Sequence, residues 1–334
     1  MIEVGPYRGH DVRPVAGWQG VDMRGRAPEQ LWAIVLAGGE GVRLRPLVRR
    51  VCGDDRPKQY VPLLGPRTLL GQTLDRAALA IPPARTVVSS VQSHAGYLAD
   101  GLSSRRARVL LQPAEHGTAA GILYPAHWIS CHAPEAIAAI FPSDHFIREE
   151  TAFMAHVADV AAWVVRHPDR VVLLGVPPSG PEVEYGWIEP GPVLDVARCG
   201  PVCQIRRFWE KPPAATARAC LGAGCLWNTL VMVAKVRTLI QLGQQWLPDL
   251  NDRLGLIAPF VGTVAEQWAV RQAYALMPRA NFSRTILEAC PPFLGVSTLP
   301  NLTWSDLGTP RRVFALLRQV RVRPAWLEAA DLIA

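Results

Sequence analysis

The sequence predicts a three-layer α/β fold: a mostly parallel sheet with helices on both faces, a smaller β-containing lobe and a helical C-terminal part. Short apolar runs alternate along the first half of the chain with longer stretches of helical character. The first run ends in a glycine-rich loop, which is typical of a buried strand that leads into a tight turn. With 334 residues, 49% of them hydrophobic, the chain is long enough to bury a large core.

Five apolar runs are the predicted strands of this sheet. They lie at 32–37, 86–91, 108–111, 136–141 and 171–176, and the helices predicted between them lie near 68–80, 94–103, 117–130 and 151–167. In such folds the ligand binds beyond the carboxyl ends of the strands. Functional side chains are therefore expected directly after these runs.

The remainder of the chain differs from the first half in the predicted length and order of its strands and helices. Shorter strands and turns over 186–236 predict a lobe that covers the sheet. The last part, 237–334, has predicted helices near 264–276 and 309–320 and a strand at 293–299. By domain, we expect a poorly ordered extension at 1–30, a main domain at 31–262 and a C-terminal segment at 263–334.

Composition excludes several classes of partner. The net charge is +7, but only three of the 35 basic residues are lysines, and the arginines are scattered, which argues against nucleic-acid binding. No run of 18 apolar residues is present and residues 1–20 lack an apolar signal core, so we expect a cytoplasmic protein without a membrane segment. The seven cysteines form no CxxC pair, and we predict neither a disulfide framework nor a zinc site.

The loop after the first run has the composition of an anion-binding turn. Gly38, Gly39 and Gly41 let the backbone approach a ligand and direct N–H groups toward it. Arg43 adds a guanidinium suited to phosphate oxygens. The spacing matches neither the Walker loop nor the GxGxxG fingerprint, which disfavours a dinucleotide-dependent oxidoreductase. Taken alone, the motif is equally typical of an ordinary strand-to-helix turn.

Seven motifs in order carry a resemblance to a known family. They are LAGGEGVRLRPL (36–47), RPKQY (56–60), FPSDH (141–145), EYGWIE (184–189), FWEKP (208–212), LWN (226–228) and WSDLGTP (304–310). Together they resemble the sugar-phosphate nucleotidyltransferases, most closely the mannose-1-phosphate guanylyltransferases. The resemblance implies a Rossmann-like nucleotidyltransferase fold. It also implies condensation of a nucleoside triphosphate (NTP) with a sugar 1-phosphate to a nucleotide sugar and pyrophosphate, with GDP-mannose as the expected product.

The resemblance assigns the charged residues of these motifs to the phosphates. Arg43 would grip the β- and γ-phosphates, Lys58 would act at the α-phosphate, and Lys211 would hold the phosphate of the sugar. Asp144 and Asp306 would bind Mg²⁺, because carboxylates combined with phosphate oxygens and waters suit that ion. Either aspartate by itself is more typical of a turn or a helix cap.

The resemblance also assigns binding residues and partners. The nucleotide-binding residues are Leu36, Ala37, Gly38, Gly39, Gly41, Gln112, Gly117 and Thr118, and the sugar-binding residues are Gly186, Glu189 and Asn228. The two substrates are the expected partners. The C-terminal segment is expected to complete the active site and to supply a homodimer interface.

Departures from the family pattern leave the substrates open. Residues 117–121 read Gly-Thr-Ala-Ala-Gly where guanylyltransferases have an Asn-Thr-Ala-Pro-Ala type run, and Gln112 replaces an acidic residue. Ser283 stands where the family has an aspartate. One alternative is a thymidylyl-, uridylyl- or cytidylyltransferase acting on another sugar 1-phosphate. The other is a catalytically silent paralogue that binds a nucleotide sugar and regulates a partner.

Overall fold

The computed structural model describes residues 27–102 and 107–327. Residues 1–26 of the predicted N-terminal extension therefore lie outside the described residues. The helices are α1 (Arg45–Cys52), α2 (Leu69–Ala78), α3 (Ala95–Leu102), α4 (Gly117–His132), α5 (Glu150–Arg166), α6 (Ala214–Gly222), α7 (Val236–Trp246), α8 (Pro248–Gly255), α9 (Glu266–Ala275) and α10 (Pro310–Val320). The strands are β1 (Leu31–Leu36), β2 (Thr86–Val91), β3 (Arg108–Gln112), β4 (Ile137–Pro142), β5 (Phe146–Ile147), β6 (Val171–Val176), β7 (Gly186–Ala197), β8 (Gly200–Glu210), β9 (Leu226–Lys235), β10 (Leu294–Thr298) and β11 (Trp304–Ser305). Within these ranges no helix is long and apolar enough to cross a bilayer.

In the described part of the chain, nine strands form one mixed sheet in the order β3-β2-β1-β4-β9-β6-β10-β8-β7. Every strand of this sheet except β8 and β9 runs in the same direction. The five strands predicted from apolar runs are present as β1, β2, β3, β4 and β6. The predicted fold class, a mostly parallel sheet with helices, is therefore confirmed.

Helices cover both faces of the sheet. On β1, Ile34 belongs to a core that α4 and α7 complete, whereas Ala33 and Val35 belong to a core that α2 and α5 complete. Neighbouring residues fall into different cores because successive side chains of a strand point to opposite faces. These three side chains have no solvent exposure, as expected for a strand buried between two helical layers.

The segment 186–236 is an extension of the main sheet rather than a lobe laid over it. β7 and β8 are long antiparallel strands at one edge, and β9 lies inside the sheet between β4 and β6. Met232, Val233 and Ala234 of β9 are fully buried, as an interior strand requires. The sequence did not indicate that position, nor did it indicate helices α6, α7 and α8.

The C-terminal segment contributes to both the sheet and the site. β10 lies between β6 and β8, and α10 shares an apolar cluster with α1. The short strands β5 and β11 pair antiparallel, with Ser305 opposite Phe146. Asp144 lies just before β5 and Asp306 just after β11. The pairing therefore brings the two predicted metal-binding aspartates to the same place.

Candidate active site

A cavity of about 440 Å³ opens beyond the carboxyl ends of β1 and β4. Leu36 and Pro142, the last residues of these two strands, line it. Most of the predicted site residues line the same cavity: Leu36, Gly39, Gly41, Arg43, Lys58, Thr118, Asp144, Gly186, Lys211, Asn228 and Asp306. This is the edge of the sheet at which a ligand is expected in an α/β fold.

The glycine-rich loop after β1 forms one wall of the cavity. Gly41 has a φ of +59°, and a Cβ there would lie 3.1 Å from the backbone nitrogen of Lys58, so the position requires glycine. Gln59 donates through Nε2 to the carbonyl oxygens of Ala37 (3.0 Å) and Gly39 (2.9 Å). The RPKQY motif therefore holds the shape of the loop from behind.

Arg43 lies beside the cavity and forms an ion pair through NH1 with Glu184, in the loop before β7. The two side chains are 48% and 43% exposed, so water screens the pair and it contributes little to stability. A triphosphate carries more negative charge than one carboxylate. It would therefore compete well with Glu184 for the guanidinium.

Lys58 is only 8% exposed and contacts both predicted metal-binding residues. Its Nζ donates to the backbone carbonyl of Asp306 at 2.6 Å and lies 3.2 Å from Oδ2 of Asp144. A lysine ammonium has three donors, so these two contacts leave a third for a ligand. Lys58 therefore ties the two aspartates together and lines the cavity at the same time.

The Asp306 carboxylate is held by three donors. The Tyr185 hydroxyl donates to Oδ1 at 2.8 Å, the Gly308 N–H donates to Oδ1 at 3.1 Å, and NH1 of Arg312 lies 2.8 Å from Oδ2 and 3.0 Å from Oδ1. Burial alone would raise the pKa of Asp306. The charges of His145, Arg312 and Lys58 and the Tyr185 hydroxyl outweigh burial and hold that pKa below its usual range. Asp306 is therefore ionised at neutral pH.

Two carboxylates in one cavity fit a metal that is shared with a substrate. Among residues 27–102 and 107–327, no group of three or more His, Cys, Asp and Glu side chains is arranged to hold a metal. Mg²⁺ in phosphate-transferring sites is commonly held by one or two carboxylates, with substrate phosphates and waters as its other ligands. Asp144 and Asp306 provide a donor set of that kind.

Two non-glycine residues that line the cavity and one that lies between two lining residues have left-handed backbone conformations. They are Lys211 (φ 53°), Leu230 (φ 60°) and Leu307 (φ 49°), the last of which directly follows Asp306. Such a conformation costs on the order of 1 kcal/mol or more for a residue with a side chain, and it is concentrated at functional sites. The strain here is consistent with a binding site that the surrounding fold holds in shape.

A second wall of the cavity comes from β7, β8 and β9. The backbone N–H of Lys211, just after β8, donates to the carbonyl of Tyr185 at 3.2 Å. A Cβ on Gly186 would lie 3.1 Å from Cβ of Asn228 and 3.2 Å from Oε2 of Glu210. Glycine at this position therefore leaves open the space between the side chains of Asn228 and Glu210.

The predicted sugar ligand Glu189 lies outside the cavity lining. Its Oε1 accepts a hydrogen bond from NH1 of Arg206 at 3.2 Å. The carboxylate that does line the cavity from this sheet edge is Glu210, whose pKa is raised by burial and by the neighbouring Glu288. The signal that could have identified Glu210 is the FWEKP motif, which contains it.

Four predicted nucleotide residues lie behind the lining rather than in it: Ala37, Gly38, Gln112 and Gly117. Gln112 is buried, donates through Nε2 to Oγ of Ser89 at 3.2 Å and accepts from the Tyr274 hydroxyl at 3.2 Å. These two partners fix the orientation of its amide. Its Nε2 would lie 3.6 Å from a Cβ on Gly38, so the loop packs directly against it.

Gly117 holds a distant segment against the start of α4. It has a φ of +85°, and a Cβ there would lie 2.1 Å from the carbonyl oxygen of Ala280. That oxygen accepts from the N–H of Ala119, and the N–H of Ala280 donates to the carbonyl of His116, both at 3.1 Å. The segment held in this way contributes two lining residues, Asn281 and Ser283.

Several lining residues are absent from the sequence-based set: Glu184, Tyr185, Glu210, Asn281 and Ser283. Glu184 and Tyr185 belong to the EYGWIE motif, so membership of a motif was the available signal. Asn281 has no such signal, because its place in the cavity depends on the contact between Ala280 and Gly117.

Known proteins give an independent comparison. A family model described as nucleotidyl transferase matches residues 32–321. The chain belongs to this family. Among family relatives, it is 32% identical to the xanthan biosynthesis protein XanB of Xanthomonas campestris pv. campestris (strain B100), over 223 residues that cover 66% of this chain and 45% of that protein. It is 26% identical to the mannose-1-phosphate guanylyltransferase of Escherichia coli (strain K12), over 293 residues that cover 85% of this chain and 59% of that protein.

Solved structures agree with the family assignment. The crystal structure of a protein described as mannose-1-phosphate geranyltransferase from Thermus thermophilus matches with a TM-score of 0.73 and 28% identity, over 86% of this chain and 79% of that one. The resemblance seen in the seven motifs is therefore confirmed at the level of the nucleotidyl transferase family. This chain spans 45% of the length of the Xanthomonas protein and 59% of the length of the Escherichia coli protein.

Proposed function

We propose that this protein condenses an NTP with a sugar 1-phosphate to a nucleotide sugar and pyrophosphate, with GTP and mannose 1-phosphate as its substrates. The observation that carries the proposal is one cavity lined by three cationic and two anionic predicted residues: Arg43, Lys58, Lys211, Asp144 and Asp306. Two phosphate-bearing substrates repel each other, so a site that brings them together needs several cations to offset their charge. A cavity with such a lining meets that need.

In the proposed reaction an oxygen of the sugar phosphate attacks the α-phosphorus of the NTP. A phosphorus–oxygen bond forms there while the bond from the α-phosphorus to the oxygen bridging to the β-phosphate breaks. Pyrophosphate leaves with that electron pair. The attacking oxygen is already ionised, so the protein need not remove a proton from it. Its task is to align two anions and to offset their charge.

Lys58 acts at the α-phosphate in this proposal. Its ammonium is buried and is held by the Asp306 carbonyl at 2.6 Å before any substrate arrives. Because the charge is already in place, little reorganisation is needed when negative charge builds during the reaction. Lys211 would hold the phosphate of the sugar, and Arg43 would exchange Glu184 for the departing pyrophosphate.

Asp144 and Asp306 would hold Mg²⁺ together with phosphate oxygens and waters. When bound, the ion supplies positive charge that offsets the repulsion between the two anionic substrates. Lys58 and Arg312 keep Asp306 ionised and therefore competent as a ligand. Asp144 lies 3.2 Å from the Lys58 ammonium and is 23% exposed, which leaves part of its carboxylate accessible.

The choice of substrates rests on the relatives. The Escherichia coli protein that is 26% identical is named for transfer of a guanylyl group to mannose 1-phosphate. In this chain the sugar would lie against Gly186, Asn228 and Glu210, and Gln112 would support the base from behind the first loop. Both substrates are small cytosolic molecules, so a cytoplasmic location forms part of the proposal. A homodimer stays a prediction.

The lining near Ser283 favours a second candidate. Ser283 is 3% exposed and lines the cavity where the family pattern has an acidic residue. A site that lacks this carboxylate could bind a nucleotide sugar without making it. The second candidate is therefore a nucleotide-sugar-binding regulatory paralogue.

The test measures pyrophosphate release with Mg²⁺ while four NTPs are crossed with mannose, glucose, galactose and glucosamine 1-phosphates. Release confined to GTP with mannose 1-phosphate supports the whole proposal. Release with another pair keeps the reaction and replaces the substrates. No release with any pair, combined with nucleotide-sugar binding in calorimetry, favours the regulatory paralogue.

A further inference from the structure

Arg312, in the first turn of α10, touches three groups at once. Its NH1 lies 2.8 Å from Oδ2 and 3.0 Å from Oδ1 of Asp306, and its NH2 lies 2.5 Å from Oε2 of Glu182. Its Cζ is 4.4 Å from the centre of the Tyr185 ring. The side chain is 18% exposed, so the guanidinium is largely shielded from water. None of the seven sequence motifs contains Arg312 or Glu182.

Each candidate metal-binding carboxylate thus has a cation of the protein beside it. Arg312 pairs with Asp306, and Lys58 lies 3.2 Å from Asp144. Asp144, Asp306, Lys58 and Arg312 cancel in formal charge, and Glu182, which pairs with the other terminal nitrogen of Arg312, adds one negative charge. A divalent cation approaching the protein without its substrates would therefore gain less from charge than two unpaired aspartates would offer.

We propose that Arg312 is an internal counter-cation of Asp306 which the divalent cation displaces, and that Glu182 and the Tyr185 ring retain the guanidinium when it leaves. The inference rests on the proposed function to the extent that the proposed function assigns a divalent cation to Asp306. It adds a residue that controls when that cation can bind.

The contacts of the two carboxylate oxygens favour displacement. Oδ1 accepts from Tyr185, from Gly308 and from Arg312, whereas within the described residues Oδ2 has the Arg312 guanidinium as its hydrogen-bond donor. Oδ2 is therefore the oxygen with room for a metal, and Arg312 is the group that competes for it. A doubly charged ion on Oδ2 would repel the adjacent guanidinium.

The released guanidinium has partners already in place. Glu182 binds its other nitrogen and the Tyr185 ring lies beneath it, so Arg312 can give up Asp306 without becoming an isolated buried charge. The required movement is confined to one side chain.

The sign of one mutational effect separates this role from a structural one. If Arg312 competes with the metal, its removal tightens cation binding by the free protein. If Arg312 instead orients Asp306 for the metal, its removal weakens binding. The measurement is a Mn²⁺ titration of the protein without nucleotide, in which electron paramagnetic resonance reports the free ion.

We expect Arg312→Gln to bind Mn²⁺ about tenfold more tightly than the unmodified protein, which corresponds to the loss of one charge-assisted contact. Arg311→Gln is the matched control, because it removes the same charge from an exposed position in the same helix. The control should leave the Mn²⁺ affinity unchanged. The double variant R312Q/D306N should lose the gain, because the oxygen set free belongs to Asp306.

Glu182→Gln tests the other half of the proposal. Without its anionic partner the guanidinium rests more fully on Asp306, so Mn²⁺ should bind about threefold more weakly. In the R312Q background the same change should have no further effect, whereas a general effect of charge would persist. E182Q also keeps the proposal testable if R312Q fails to fold.

Unchanged or weaker Mn²⁺ binding by folded R312Q overturns the inference, as does an E182Q effect that persists in the R312Q background. Pyrophosphate release by D306N distinguishes the two levels of the proposal. Normal turnover of D306N would remove the metal role of Asp306 from the proposed function. An inactive D306N together with an R312Q that binds Mn²⁺ as the unmodified protein does would overturn the counter-cation alone.

Discussion

Lys58 and Lys235 are two buried lysines with similar partners, and they differ in whether they line the cavity. They are 8% and 6% exposed, and each ammonium meets one carbonyl oxygen and one carboxylate. A buried charge needs such partners because water no longer solvates it. Lys58 lines the cavity and Lys235 does not. The pair therefore separates what burial requires of a lysine from what the proposed reaction requires.

We expect Lys58→Met to lower kcat by about 100-fold or more, since a positioned charge of this kind contributes roughly 3 kcal/mol to the transition state. Asp144→Asn and Asp306→Asn should lose a similar factor. Lys235→Met is the control, and its folded fraction should keep kcat within about threefold even if the protein melts earlier. Pyrophosphate release and thermal unfolding of each variant provide the measurement. Near-normal turnover of K58M would remove Lys58 from the mechanism.

His145 makes stability depend on pH in a window set by its burial. Burial lowers its pKa to about 4, whereas the unfolded chain protonates it near pH 6.5. Between these values the unfolded state binds the proton and the folded state does not, so the free energy of unfolding falls as the pH is lowered through this window. The loss from this one group is at most about 3 kcal/mol.

Urea unfolding at pH 7 and pH 5 measures this effect. The unmodified protein should lose more stability between the two values than His145→Asn does. An equal loss in both proteins would mean that other groups account for the acid sensitivity.

At the scale of elements, the site depends on contacts between segments that are far apart in sequence. The pairing of β5 with β11 brings Asp144 and Asp306 together. The first turn of α4 holds the segment before the π-helical turn Ser283–Leu287, because Oγ1 of Thr118 accepts from the Phe282 N–H at 2.9 Å. Each of these two contacts holds residues that line the cavity in place. A change in either contact should therefore affect substrate binding.

Gly117→Ala tests the second contact. Its Cβ would lie 2.1 Å from the Ala280 carbonyl oxygen, so the wall that carries Ser283 has to move. We expect a loss of about 2–3 kcal/mol in unfolding free energy and a raised KM for both substrates. Gly262→Ala is the matched control, because Gly262 also has a positive φ, +78°, but no heavy atom within 4 Å of the new Cβ.

G262A should lose only about 1 kcal/mol from backbone strain and should leave KM unchanged. Urea unfolding and steady-state kinetics measure the two variants side by side. If their KM values are alike, the contact between Gly117 and Ala280 does not shape the site.

At the scale of the whole molecule, the C-terminal segment shares the structure of the main domain. β10 pairs with β6 on one side and with β8 on the other. α10 and α1 contribute to one apolar cluster, and Asp306 lines the common cavity. We therefore propose that 263–334 completes the domain of 31–262 rather than being attached to it.

A fragment of residues 31–262 should not fold cooperatively. Without β10 the sheet would have two open edges in its interior, β6 and β8, and unpaired edges favour aggregation over folding. Circular dichroism during thermal unfolding should show one transition for the full chain and no sharp transition for the fragment. A fragment that melts cooperatively would show that the C-terminal segment is an independent addition.

The sequence predicted the features that depend on neighbouring residues. Each of the five strands is a short apolar run with its own turn signals, so β1, β2, β3, β4 and β6 could be located one by one. Arg43, Lys58 and Asp144 follow strands or belong to motifs, and all three line the cavity; the roles assigned to them stay predictions. The local pattern was sufficient for these strands because the apolar run and the turn residues after it lie within about ten residues of each other.

Features that depend on distant residues required the tertiary structure. The interior place of β9 is set by its pairing with β4 and β6, and the sequence of β9 is compatible with an edge strand as well. Which of Glu189 and Glu210 lines the cavity is decided by how β7 and β8 pair, and Arg312 meets Glu182 only because α10 packs beside the loop before β7. The sequence by itself determined the strands, the motifs and the family. The tertiary structure decided which charged groups form ion pairs. Two groups interact when they are close in space, and their separation along the chain does not show how close they are in the folded protein.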